Sequence, residues 1–172
     1  MPNWGGERHG GKRGRGAPGK SPFVAAVQTT PEGDPIAMRF TRLKGFRKAE
    51  LAQWAQRHLA AGTRVVSDGL GCFRGVEQAG CQHEAIVTGG GAQSVTLETF
   101  TWVNTIIGNV KNSMHGSYHT ISDRHLPRYR AEFCYRSNRR YTLEDMIPQL
   151  GYRAVRTPPM PQRLLGMAEA WA

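Results

Sequence analysis

Acidic side chains are scarce in this sequence. Only 13 Asp and Glu stand against 23 Lys and Arg, leaving a formal net charge of +10. A solvated surface does not require that excess, which points to a polyanionic partner. Nucleic acid fits better than a membrane surface, because no basic amphipathic anchor is apparent. Cysteine is also rare: Cys72, Cys81 and Cys134 are the full set, odd in number and without a CxxC pair. That excludes a disulfide framework and a zinc ribbon within this sequence and suits a reducing compartment. Each cysteine reads as a small buried hydrophobe. No apolar run reaches the ~18 residues that a membrane span needs. The Gly- and Arg-rich N-terminus has no apolar segment that could serve as a secretory signal.

What is present suits a soluble globular domain, with 39% hydrophobic residues in 172 and enough length to bury a core. Residues 1–22 are rich in Gly, Pro, Lys and Arg and cannot build one. They read as a basic arm, either contacting phosphate through Lys12, Arg13 and Arg15 or simply solvated. Residues 23–145 read as the folded domain and 146–172 as a Pro-containing tail with a short helix over 163–171. Within the domain, Phe23–Gln28 and Ile36–Leu43 flank a Pro-Glu-Gly-Asp-Pro turn and predict an antiparallel hairpin. Arg47–Leu59 predicts an amphipathic helix, with His58 on its core face and Gly62 closing it. Thr63–Asp68 is a β-branched strand after a helix after a strand, which suggests a βαβ crossover and a parallel pair. A short helix over 73–79 closed by Gly80, a strand over 83–88 and a flexible break at Gly89–Gly91 follow.

The stretch Trp102–Tyr141 is the centre of the chain. It reads as two helices joined by a Gly116-Ser117 turn. The first helix places Asn104 and Lys111 on one face, seven residues apart, with Gly108 leaving that face open. An amide oxygen and an ammonium aimed the same way suit a hard cation and a phosphate, though many polar helix faces make such a pair. The second helix carries Arg124, Arg128, Arg130, Arg136, Arg139 and Arg140, interleaved with aromatics. Leu126, Tyr129 and Phe133 form its buried stripe, and Pro127 sits in its first turn. Glu132 can pair with Arg128 and Arg136; the surplus arginine reads as a surface for nucleic-acid backbone. Asp68 ends its strand where open α/β sheets collect chemistry, a position that a turn-forming Asp also occupies.

One ordered set goes further: Val65-Val66-Ser67-Asp68-Gly69, Gly80-Cys81-Gln82-His83, Val103-Asn104 through Lys111, Gly116-Ser117-Tyr118-His119, and Leu126-x-x-Tyr129-x-x-Glu132-Phe133-x-Tyr135-Arg136-x-Asn138-Arg139-Arg140. It resembles the catalytic domain of bacterial insertion-sequence transposases of the ISXO-like type, over roughly Trp4 to Pro161. These belong to the DDE superfamily. The resemblance implies an α/β fold, a ribonuclease-H-like mixed sheet flanked by helices. It implies DNA as partner, both element ends and target, cut and joined with two divalent ions, Mg²⁺ or Mn²⁺, held by three side chains. It makes Asp68 the second metal ligand. Asn104 becomes the third, a position that is Glu in much of the family and Asn in one branch. Lys111 becomes a phosphate contact. Arg128, Arg136, Arg139 and Arg140 join Lys12, Arg13 and Arg15 as DNA-contacting residues. A cytoplasmic, nucleoid-associated location follows, and self-association is left open.

The departure is at the front. The family's first aspartate precedes a Gly-Gly pair by five residues, and counting back from Gly5-Gly6 passes Met1. The resemblance therefore implies an N-terminally truncated domain with its first strand largely missing, and Glu7 and Asp34 are poor stand-ins. With Asp68 the only charged ligand, the chain is expected to be inactive in strand transfer. Two rivals stay open: a non-catalytic basic DNA-binding module, and a nuclease of the same fold acting on RNA, which rests on fold analogy alone.

Overall fold

A computed structural model describes residues 22–87, 97–117 and 125–165. They fall into two units, 23–41 with 105–165, and 22 with 42–104. The basic arm, Gly89–Gly91, the 118–124 link and the last residues of the 163–171 helix lie outside the described residues.

In the first unit, β1 (Phe23–Thr29) pairs with β2 (Pro35–Arg42). A connection as short as Thr30–Asp34 can only reverse the chain. The turn closes by the Thr30 N–H donating to Asp34 O at 2.8 Å and the Asp34 N–H donating to Thr30 Oγ1 at 3.1 Å. Gly33 takes φ 99° there, a conformation that favours glycine. Met38 is buried and Phe40 partly so, but Ile36, expected on the same face, is exposed. The helix α2 (Thr101–Ser117) and the helix α3 (Leu126–Asn138) enclose a core of Val110, Met114 and Leu126, with Phe40, Tyr129 and Phe133 packed against it. The stripe predicted for α3 is thus the buried one, and Pro127 lies in its first turn.

Two expectations fail in this unit. Gly116 and Ser117 are the last residues of α2, not a turn; Gly116 keeps a negative φ and does not break the helix. The region read as a tail contains the helix α4 (Leu143–Arg156), followed by α5 (Gln162–Leu165). Pro148 lies inside α4, where a proline normally argues against a helix. The acidic first turn, Glu144 and Asp145, and the basic last turn, Arg153 and Arg156, favour α4 through the helix dipole.

In the second unit, α1 (Lys48–His58) buries Leu51, Ala52, Trp54 and Ala55. His58 is exposed, its ring 5.6 Å from that of Trp54, and does not join the core. It follows the last buried residue by three positions, which takes it to the rim of the apolar stripe. A 3-10 segment, Gly71–Ala79, covers α1 and buries Cys72 and Val76. Gly75 makes that approach possible, since a Cβ there would lie 2.2 Å from Lys48 O. Gly80 closes the segment with φ 76°. The strand β3 (Arg64–Ser67) pairs in parallel with β4 (Gln82–Ala85), in the register Val65 to His83 and Ser67 to Ala85. The parallel pair is therefore made across the 3-10 segment and not across α1: β2 and β3 belong to different two-stranded sheets. Residues 68–81 supply the dozen or more that such a crossover needs. The chain is α/β, as expected, with its described strands in two small sheets. No helix among the described residues is long and apolar enough to cross a membrane.

Candidate functional site

The end of β3 is fixed by side chains. Ser67 is buried, and its Oγ lies 2.9 Å from His83 Nε2 on β4. The His83 side chain is only 4% exposed, and its Nδ1 faces Glu77 Oε1 of the 3-10 segment at 3.7 Å. A buried imidazole between a hydroxyl and a carboxylate is an ordering device, because each ring nitrogen has a polar neighbour. It superficially matches a serine–histidine–acid arrangement, but Ser67 is only 5% exposed, which leaves its hydroxyl little room for a substrate. Sequence reading placed His83 at the start of a strand and within a resemblance; nothing in the local pattern marked its contact with Ser67 on the neighbouring strand.

Asp68 follows directly and is exposed. Its Oδ1 accepts from the Leu70 N–H at 3.2 Å, the local turn bond that Asp commonly makes. Both expected readings of Asp68 therefore meet at one residue: it starts a turn, and it presents a carboxylate beyond the C-terminal end of a parallel strand.

Asn104 lies in the first turn of α2 and Lys111 two turns later; both are half-buried. The structure thus puts Asn104 and Lys111 on one face of one helix, while Asp68 comes from the end of β3. Gly108 between them opens that face, since a Cβ there would meet nothing within 4 Å.

The arginines in and just after α3 are individually tethered. Arg136 grips Glu132 through Nε at 2.5 Å and through its second nitrogen at 3.1 Å, the pair expected at i,i+4. Arg128 instead reaches Met160 Sδ at 4.0 Å. Arg139 donates to Gln149 Oε1 at 2.8 Å and stacks on Tyr135 at 3.9 Å. Arg140 donates to Ser137 O at 2.8 Å and to Pro35 O, and lies over Tyr141 at 4.4 Å. Stacking on a ring holds a guanidinium in place without cancelling its charge. Arg130 departs from the expectation of a basic surface. It is only 4% exposed and covers the Phe23 ring at 4.4 Å. Lys12, Arg13 and Arg15 lie outside the described residues, as do Arg124 and Glu7.

Sequence reading passed over Asn138 as a working residue. Its Oδ1 accepts from the Met38 N–H at 2.8 Å and its Nδ2 donates to Met38 O at 2.9 Å. The amide pairs with both backbone groups of one β2 residue, as a neighbouring strand would.

Among the described residues, Asp68 and Asn104 do not suit a pair of divalent ions. Asp68 with Asn104 supplies one negative charge. Among the described residues no group of three or more His, Cys, Asp or Glu is placed to hold a metal. A hard cation exchanges its hydration shell for several charged or carbonyl oxygens, and an exposed carboxylate with one amide offers few.

A family model covers most of the chain. Residues 4–138 match the ISXO2-like transposase domain, and the chain belongs to that family. It is an insertion-sequence transposase-like protein, and its family generally uses a divalent metal and acts on DNA. No curated protein and no solved structure matches it. The family match ends at Asn138, so α4 and α5 lie beyond it.

Proposed function

We propose that this chain is a ribonuclease-H-like DDE-type transposase domain that binds the DNA of an insertion sequence but does not catalyse strand transfer by itself. The observation that carries the reading is the family match over residues 4–138, a stretch that includes Asp68, Asn104 and Lys111. Asp68 and Asn104 are the cation-facing positions of the domain, and Lys111 contacts a DNA phosphate. Arg128, Arg136, Arg139 and Arg140 line the duplex backbone, together with Lys12, Arg13 and Arg15 of the arm. These are electrostatic contacts that position DNA without reading its sequence. Residues 1–22 act as the basic arm and 23–145 as the domain proper.

No phosphoryl-transfer step is derived for this chain, because the donors among its described residues do not fit two ions. In-line attack on a phosphate needs both the nucleophile and the leaving oxygen stabilised, and one exposed carboxylate does not align both. Weak affinity for a single Mg²⁺ or Mn²⁺ is the expected remnant.

DNA binding is tested by measuring affinity for element-end duplex across a salt series. With about eight phosphate contacts the slope of log K against log salt is about −7, a loss of roughly 10⁴-fold between 50 and 200 mM. Charge reversal at Arg136 and Arg139 is expected to lower affinity about tenfold and flatten that slope. Affinity indifferent to salt would refute the reading.

A further inference from the structure

From the end of α3 to the end of α4, guanidinium groups are paired with tyrosine rings. Arg139 lies over Tyr135 at 3.9 Å, Arg140 over Tyr141 at 4.4 Å and Arg156 over Tyr152 at 4.8 Å. Such pairs arise about once per 70–80 residues, so their concentration within residues 135–156 calls for a cause. Tyr135 is half-buried and its hydroxyl donates to Met146 O at 3.0 Å, which gives it a structural role. Tyr141 and Tyr152 are 76% and 56% exposed, and burial does not explain them. Both lie beyond the family match, which ends at residue 138, so the match does not account for them either.

A guanidinium covers one face of a ring and leaves the other to solvent. At Tyr141 the covering group is itself fixed, because Arg140 donates to Ser137 O and to Pro35 O. At Tyr152 it is Arg156, which also donates to the Tyr152 hydroxyl. Each ring is thus held in place before anything binds, and a held ring loses little freedom when a second flat group stacks on it. We propose, on the DNA-binding reading above, that Tyr141 and Tyr152 are stacking platforms for unpaired bases of single-stranded DNA.

The chemistry of the surface selects this ligand. Every base has a π-face that an aromatic ring can take, and cations beside the ring attract the phosphates between bases. Bases inside a duplex are stacked on one another and cannot use such rings unless flipped out. Charge along α4 sets where the phosphates go. Arg153 and Arg156 stand in its last turn, Glu144 and Asp145 in its first. Asp145 is on the same side of the helix as Tyr152 but seven residues earlier, about 10 Å along the axis. Phosphates flanking a base on Tyr152 therefore belong at the Arg153–Arg156 end, while the base on Tyr141, close to the acidic turn, depends on its ring and on Arg140. RNA offers the same bases; DNA is assigned because the family acts on DNA.

The test measures the affinity of the full chain for three probes at one salt concentration: an oligothymidylate of about a dozen nucleotides, the same strand with abasic sites in place of its bases, and a duplex of equal length. The oligothymidylate is expected to bind more tightly than the abasic strand, which carries the same charge. Tyr141→Ala and Tyr152→Ala should each lower oligothymidylate affinity about tenfold. Together they should abolish its advantage over the abasic strand and leave the abasic and duplex affinities unchanged. Tyr141→Phe and Tyr152→Phe keep the ring and should keep the advantage. Both tyrosines are exposed, so the Ala variants are expected to retain the thermal midpoint of the parent. An abasic strand bound as tightly as the oligothymidylate would overturn the proposal. So would Ala variants that lose duplex affinity to the same degree, or an oligouridylate held more tightly than the oligothymidylate. A parent chain that binds the duplex but not the single strand sinks this proposal alone; one that binds neither sinks the DNA-binding reading with it.

Discussion

Gly75 is the residue on which the second unit closes. Its absent side chain lets the 3-10 segment lie on the backbone of α1, where a Cβ would meet Lys48 O at 2.2 Å and Ala52 N at 3.1 Å. Both neighbours are main-chain atoms of a helix and cannot swing aside. Gly75→Ala is expected to destabilise the fold by about 1–3 kcal/mol, read as a lower denaturant midpoint with an unchanged slope. Cys134 makes a different point at the same scale. Burial pushes its thiol above the ordinary value of 9.0, against smaller opposing effects from a Phe40 backbone bond and from Arg39 and Arg130. Unfolding returns the thiol to its ordinary value. Below that pH both states keep the proton and stability is undiminished; above it the unfolded chain ionises first, so stability falls as pH rises. The thermal midpoint should decline between about pH 8 and about pH 10 more in the parent than in Cys134→Ala, which has no thiol to titrate. The place of Asp68 at a strand end and of Asn104 on a helix was legible, because both follow from local pattern. The Ser67–His83 contact was not, since it depends on which strand β3 pairs with.

At the scale of elements, the amphipathic helices α1 and α3 follow from their apolar spacing, and the buried Leu126–Tyr129–Phe133 stripe lies where that spacing puts it. The helix α4 did not, because Pro148 and the prolines beyond it obscured a favourable charge distribution along fourteen residues. The sheet partners were misassigned for a related reason. A strand–helix–strand order fixes the length of a crossover but does not say which crossover is used, and here the 3-10 segment serves. The joint between α3 and β2 rests on Asn138. Replacing it with Ala leaves the Met38 N–H and C=O without their side-chain partners, at a cost of about 1–3 kcal/mol. Hydrogen exchange at Met38 should accelerate in that variant. Unchanged exchange there would show that the amide clamp adds nothing to the strand.

For the whole molecule, charge is the dominant fact. The surplus of 23 basic over 13 acidic residues was legible at once, as was its consequence, a polyanion partner. It could not show that Arg130 would be spent on covering Phe23, or that Arg140 would be tied to the β2 backbone. On the reading proposed above, the same scarcity of acid limits the chemistry. A transposase-family chain with Asp68 as the carboxylate of its candidate centre among the described residues holds DNA and leaves the phosphodiester intact. The most direct test incubates the purified chain with element-end DNA and target DNA in Mn²⁺ and resolves the products by length. The account predicts bound DNA with neither nicked nor joined strands. Joined product that disappears in Asp68→Ala would contradict it and show that the chain completes its metal site with residues not assigned to it here.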